Sequence, residues 1–444
     1  MTEIIEILIQ ILFILFIISF PITLLETDSK SKISTFSFID KLSINLIFLI
    51  NILFFASILN INSKYILYLY VILIIFLYFF NFRKFNFINI KLDYYFLVLL
   101  FFIILISIDI AHELYFAWDT QVHWFLKALN FFQNQEFENL NNFPVPDYPH
   151  LGTYIWSFFW KFPSNSFEYL GRITYAFIYT LSIFSITECL RVNVHEKIIF
   201  AILLVFLTYN YELFSGLQDV LVFSIILIIT KFAYYFFEKK FISNRLQLIL
   251  ILLGAANILC WIKNEGIFYA FFLLFCIFIT NNLILKNKIA LITGSLIIVS
   301  LRIFIYNFYN IELDPGVFEF EKSLNFEFLL ILEKIKIVTF YLIIYLSQNP
   351  IYLLTIPVLT YITLKYPLKN ITKFVIYFLI LNFSFIYLTY LFMHSETELL
   401  ARFSMKRVIF QTSGFYFLAI IILINNYAHL FNIKLLSKYK IKKY

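Results

Sequence analysis

Apolar runs repeat along almost the whole chain, separated by short polar breaks. They lie near 4–25, 44–60, 65–82 and 94–111, then near 171–188, 197–213, 217–237, 246–261, 267–282, 289–309, 350–365, 372–392 and 408–428. A hydrocarbon core of ~30 Å takes roughly 20 apolar residues per helix, which predicts about thirteen transmembrane helices. A further stretch, 335–349, is short and ends at Pro350. It reads as a re-entrant or interfacial helix; if it crosses fully instead, everything beyond it changes sides and the basic tail faces out.

One segment breaks this rhythm. From Ala111 to Leu151 the chain is acidic, amphipathic and rich in turn residues. A helix beginning at Asp119 would place Asp119, His123, Lys127, Asn130 and Asn134 on one stripe, with Val122, Phe125, Leu126, Leu129 and Phe132 opposite. Such a helix is expected to lie flat in the membrane interface, its polar edge in water. The stiff turn Pro144-Val145-Pro146-Asp147-Tyr148-Pro149-His150 comes next, and after it a second short helix, Leu151 to Trp160. Together they predict two interfacial helices in the first large outer loop, forming a lid over a membrane cavity.

Composition agrees with the pattern. Of 444 residues 62% are hydrophobic and 14% charged, more apolar surface than a water-soluble domain could hide. The fold class is therefore an all-α polytopic membrane protein. Ile4 to Leu25 reads as a retained span, since no basic residue precedes it and no small-residue cleavage site follows. The three cysteines, Cys189, Cys260 and Cys276, have neither zinc-site nor disulfide spacing. No Gly-rich phosphate loop, Gly-x-Ser-x-Gly elbow or His-Glu-x-x-His is present, and nothing marks a nucleic-acid partner.

The net charge of +7 matters through its placement. Lys and Arg gather in one set of short loops and in the tail 429–444, which predicts a cytoplasmic C-terminus in the inner (plasma) membrane. The loops 112–170, 209–219, 261–266, 310–334 and 393–407 then face outward. Chemistry is expected on that extracytoplasmic, periplasmic side, where nucleotide sugars and ATP are absent.

These loops supply the candidate residues. Asp119, between Trp118 and Trp124, is placed to act as general base, or to cap a helix. Asp219 opens the 217–237 run. With Asp119 it could divide acid and base work or share a divalent cation, and no motif fixes a metal site. His123, Lys127 and His150 are candidates for holding substrate. Lys263 and Glu265 interrupt two spans, as an ordinary hairpin pair or as a binding pair. Arg402, Lys406 and Arg407 are positive charges on the outer side, which points to an anionic headgroup or to snorkelling toward lipid. Arg302, inside a span, is a functional candidate by position.

The residues Trp118-Asp119 with Trp124 and Lys127-Ala128, the Tyr148-Pro149-His150-Leu151-Gly152 turn, Gly216-Leu217-Gln218-Asp219, Lys263-Asn264-Glu265-Gly266 and the Arg407 stretch resemble the GT-C superfamily of membrane glycosyltransferases. The likeness is nearest to bacterial members related to protein mannosyltransferases and lipid A aminoarabinose transferases. It covers roughly 94–428, leaving 1–93 as additional N-terminal helices. The resemblance implies transfer of a sugar from a polyprenyl-phosphate donor to a lipid, glycan or protein acceptor. Asp119 would be the base, Asp219 the second acid, and the Lys and Arg groups would hold the donor phosphate. Thr120 follows Asp119 where an adjacent second acid would complete a two-carboxylate metal motif. Two other readings remain: a polymerase or ligase of lipid-linked glycans, which would rely on Arg402 and Arg407 but not Asp119, and a transporter without chemistry.

Overall fold

The computed structural model describes residues 2–19, 36–81, 94–163, 167–238, 241, 245–281, 283–312, 328–392 and 397–427, and their regular structure is entirely helical. The basic tail 429–444 and most of the loop 310–334 lie outside them. In order the helices are α1 (Thr2–Ser19), α2 (Phe38–Ile58), α3 (Ser63–Asn81), α4 (Tyr94–His112), α5 (Phe125–Phe132), α6 (Leu151–Lys161), α7 (Tyr169–Thr187) and α8 (Val194–Thr208). Then come α9 (Asp219–Phe236), α10 (Arg245–Ile262), α11 (Glu265–Thr280), α12 (Leu285–Phe308), α13 (Phe328–Gln348), α14 (Pro350–Lys365), α15 (Asn370–Phe392) and α16 (Thr397–Tyr427). A π-helical turn, Thr120–Trp124, leads into α5.

Among the described residues eight helices are long and apolar enough to cross a membrane, or nine if the bent pair α13–α14 counts as one span. This multi-pass architecture has fewer qualifying helices than the thirteen expected, partly because of length. α8 has 15 residues and α11 has 16, about 22–24 Å at 1.5 Å per residue, short of the ~30 Å core. The segment 335–349 is the later part of α13, whose axis turns by 94° into α14, as in a broken span or a re-entrant loop. The bend has a local cause: Asn349 accepts the Ile351 N–H at 3.0 Å, and Pro350 takes the first helical position.

α7 and α9 are wholly buried, because other helices pack around them. α9 is the axis of the molecule, with α7, α10 and α16 packed directly on it. α1 and α2 pack on α7, and α2 also reaches α6 and α10, so the N-terminal helices share the same core. α6 was expected on the membrane surface. Instead every one of its residues is buried between α5, α7 and α2, because its aromatic side chains have protein neighbours on all sides.

A buried helix can carry ionised groups only where partners meet them. α9 carries Asp219 at its start and Lys231 about 18 Å further along its axis. Lys231 pairs with Asp40 and, at 2.6 Å, with Glu188 Oε2. The Tyr235 hydroxyl donates to Asp40 Oδ2 at 3.0 Å and the Ser37 hydroxyl to Glu188 Oε2 at 2.6 Å. This network ties α2 and the end of α7 to α9.

Near the Asp219 end, α2, α5 and α12 close in the same way. Each runs into an asparagine with positive φ: Asn60 (54°), Asn134 (56°) and Asn310 (49°). The next N–H then returns to a carbonyl of the last turn: Ile61 to Ala56 (2.9 Å), Gln135 to Asn130 (3.0 Å) and Ile311 to Tyr306 (2.9 Å). This is the Schellman closure, and asparagine enters the left-handed region at low cost.

Lys231→Met strands two carboxylates in the core and should cost about 3–5 kcal/mol, read as a lower thermal midpoint of the detergent-purified protein. Adding Asp40→Asn and Glu188→Gln should recover much of that loss.

Candidate active site

Asp119 and Asp219 lie in distant loops, and one glycine lets those loops touch. Gly216 has φ +93°, and a Cβ there would stand 2.2 Å from Thr120 Cγ2. Only glycine accepts both the conformation and the approach. The Ala117 N–H donates to the Ser215 carbonyl (3.3 Å) and the Tyr211 hydroxyl to the Glu113 carbonyl (2.7 Å), so the lead into Asp119 is pinned to the lead into Asp219. Gln218 braces the same corner by donating to the Tyr175 hydroxyl (3.1 Å), and that hydroxyl donates to the Gly152 carbonyl (2.9 Å).

The result is a chain of alternating charges. Asp119 Oδ2 lies 2.5 Å from Arg407 Nη1, both side chains about 30% exposed. Asp219 is buried, and its Oδ1 accepts from Lys263 Nζ (3.1 Å) and from Gln411 Nε2 (2.6 Å). Lys263 also stands 3.5 Å from Glu265. Burial disfavours the charge on Lys263, yet Asp219 and Glu265 outweigh it and raise its pKa above the ordinary lysine value. Asp219 Oδ2, Gln411 Oε1 and the Tyr269 hydroxyl are buried without a hydrogen-bond partner among the described residues. Asp119 itself makes no capping bond. Its carboxylate is turned to Arg407.

His123 edges this cluster, its ring 5.7 Å from that of Tyr148. Burial lowers its pKa against the pull of the Asp119 charge, which favours the neutral imidazole. Burial, and after it the Glu265 charge, pushes Tyr148 up to about 12, so its hydroxyl keeps its proton.

Several sequence candidates do other work. Lys127 was expected on a wet polar stripe, but it is fully buried and donates to the carbonyls of Val145 (2.9 Å), Pro146 (3.3 Å) and Tyr148 (2.7 Å). Asn130 is buried with it. The π-turn before α5 shifts the angular register, so a regular α-helical wheel drawn from Asp119 misplaces the residues of α5. His150 is also buried, its Nε2 2.7 Å from Ser57 Oγ and its ring against Phe137 and Trp261. Burial, and after it the Lys127 and Arg302 charges, holds its pKa well below the usual value. Arg302 donates to the Cys260 carbonyl (2.6 Å) and to Asn264, so it clamps the hairpin that presents Lys263 and Glu265. Arg402 and Lys406 are exposed. They share one face of α16, and Arg407 stands about 100° around the helix from Lys406.

Gln411 was missed by sequence reasoning, and Tyr148 was noticed only as part of a turn. A neutral amide inside an apolar run carries no signal of its own, although the spacing of four from Arg407 puts both on one face. The arrangement offers one partly exposed carboxylate, Asp119, for proton transfer, and its two cations, Arg407 and Lys263, are each paired with carboxylates. It suits a divalent metal poorly, because Asp119 and Asp219 already meet Arg407 and Lys263, and no group of three or more His, Cys, Asp or Glu is placed to hold a metal among the described residues. No known protein family, curated protein or solved structure matches this chain.

Lys127→Met should remove the donor shared by three turn carbonyls and cost about 2–4 kcal/mol, seen as a lower unfolding midpoint. A midpoint equal to wild type would show that the turn stands without it.

Proposed function

We propose that the protein is a membrane glycosyltransferase of the GT-C type that moves a sugar from a polyprenyl-phosphate donor to an acceptor, with Asp119 as general base. One observation carries this reading: Asp119, Asp219, Lys263, Glu265 and Arg407, drawn from four separate segments, form a single charged cluster. A partly exposed acid beside one cation, Arg407, with Lys263 in the same cluster, supplies the base and the positive charge that displacement at an anomeric carbon with a phosphate leaving group calls for.

In this reaction the acceptor hydroxyl gives its proton to Asp119 as its oxygen bonds to the anomeric carbon. The bond from that carbon to the phosphate oxygen breaks, and its electron pair leaves with the polyprenyl phosphate. Arg407 and Lys263 stabilise that departing charge. Asp219, buried and bonded to Lys263 and Gln411, orients the cations. Because Arg407 pairs with Asp119 in the free protein, a donor phosphate that recruits Arg407 also releases the base. The active end faces the extracytoplasmic side in this reading. The exposed Arg402 weighs against a ligase that would need Arg402 and Arg407 together.

Asp119→Asn should lower transfer of labelled sugar from a polyprenyl-phosphate donor by at least ~100-fold with normal membrane insertion. Retained transfer would remove the proposal. Arg407→Ala should be similarly damaging, whereas Arg402→Ala and Lys406→Ala should stay near wild type in the same assay. Chelation with EDTA should leave the rate unchanged, and a loss restored by a divalent cation would contradict the metal-free scheme.

A further inference from the structure

The asparagine-closed ends of α2 and α5 face each other across a cavity of about 260 Å³, apart from the charged cluster. Asn60, Asn62, Asn134, Gln135 and Glu136 supply its polar walls, and Phe131, Tyr154 and Phe158 its apolar side. Glycine would close either helix as well as asparagine does, so backbone geometry alone does not account for two amides at one opening. Their carbonyl ends are already used: Asn60 Oδ1 accepts the Phe137 N–H (2.7 Å) and Asn134 Oδ1 accepts from Lys161 Nζ (2.5 Å). These bonds hold the amide planes and leave the NH₂ groups as donors. Ser63, 6% exposed and also in the lining, has a hydroxyl without a partner among the described residues.

We infer that this cavity is a saccharide subsite, taking one sugar ring of a neutral glycan. Fixed amide donors and the Glu136 carboxylate as acceptor match vicinal hydroxyls, each of which both donates and accepts. The aromatic side matches the apolar face of a pyranose. No Lys or Arg is in the lining itself, and the Lys161 ammonium behind it is taken up by Asn134 Oδ1, which favours a neutral ligand over a phosphate. The volume falls just below the roughly 300–1,000 Å³ of drug-sized ligand sites, which fits one ring. A more open depression of about 440 Å³ shares Asn134, Gln135 and Glu136 and continues past Glu138, Asn139 and Asn142, so a second ring follows along the same wall.

Assigning the sugar to the acceptor rests on the transferase reading, but binding does not. Ser57, in the cavity wall, bonds His150, whose ring packs on Trp261 next to the Lys263 hairpin. These buried side chains form a wall between the cavity and the charged cluster, so an acceptor seated here would reach the cluster only by passing around that wall with its further units.

The test uses the full chain in detergent, with free hexoses, N-acetylhexosamines and their disaccharides as probes in saturation-transfer NMR. At least one probe should bind the wild type, and Asn134→Gly combined with Glu136→Ala should weaken it about tenfold or more. Asn134→Gly keeps the left-handed helix closure, and an unchanged thermal midpoint would show that the fold survives. Asp119→Asn should bind the same probe normally, so loss of transfer in that variant and loss of binding in the cavity variant are separate outcomes. Absence of binding to the wild type, or equal binding by the cavity variant, overturns the subsite. If the probe binds as expected but Asp119→Asn transfers sugar at the wild-type rate, the subsite stands and the transferase reading falls.

Discussion

An ionised group inside an apolar core must find its opposite there, and α9 meets that demand at both ends. Lys231 is enclosed by Asp40 and Glu188, and Asp219 by Lys263 and Gln411. The two ends differ in one respect that separates scaffold from site. At the Lys231 end the partners saturate one another, and a closed network of this kind fixes the packing of helices. At the Asp219 end buried acceptors are left over, and the neighbouring pair, Asp119 with Arg407, is partly open to solvent. Unfinished hydrogen bonding in a buried polar cluster is costly unless another molecule completes it.

Much of this was legible in the amino-acid sequence. The apolar runs give the helices, and Asp119, Asp219, Lys263, Glu265 and Arg407, all noticed as charges in otherwise apolar surroundings, are the residues that meet. What was not legible concerns faces. In a water-soluble protein the apolar stripe of a helix marks its inner side, but where lipid surrounds the bundle both sides are apolar and that signal disappears. Hence Arg402 and Lys406 could not be told from Arg407, nor Gln411 from its neighbours. Lys127 was placed on the wrong surface for a different reason. Its buried role depends on three carbonyls in a later turn, and a lysine stripe on water looks the same in sequence.

The aromatic residues divide the same end of the molecule into two regions. Phe137, His150 and Trp261 pack edge to face between the saccharide cavity and the hairpin of Lys263. His150, placed in the sequence as a ligand, is better described as part of this partition, with Ser57 meeting its need for a hydrogen bond. The partition keeps an amide-lined pocket and an ionic cluster close without letting their polar groups compensate each other.

The long α16 imposes a rule on how this chain can change over evolutionary time. Arg407 and Gln411 serve Asp119 and Asp219 from a single face, one turn apart. Deleting or duplicating one codon between them would swing Gln411 by about 100° and break one of the two contacts while every side chain kept its identity. Lineages carrying this helix should therefore vary freely in the letters of its lipid-facing positions and hold its length constant, with indels displaced into the connecting loops.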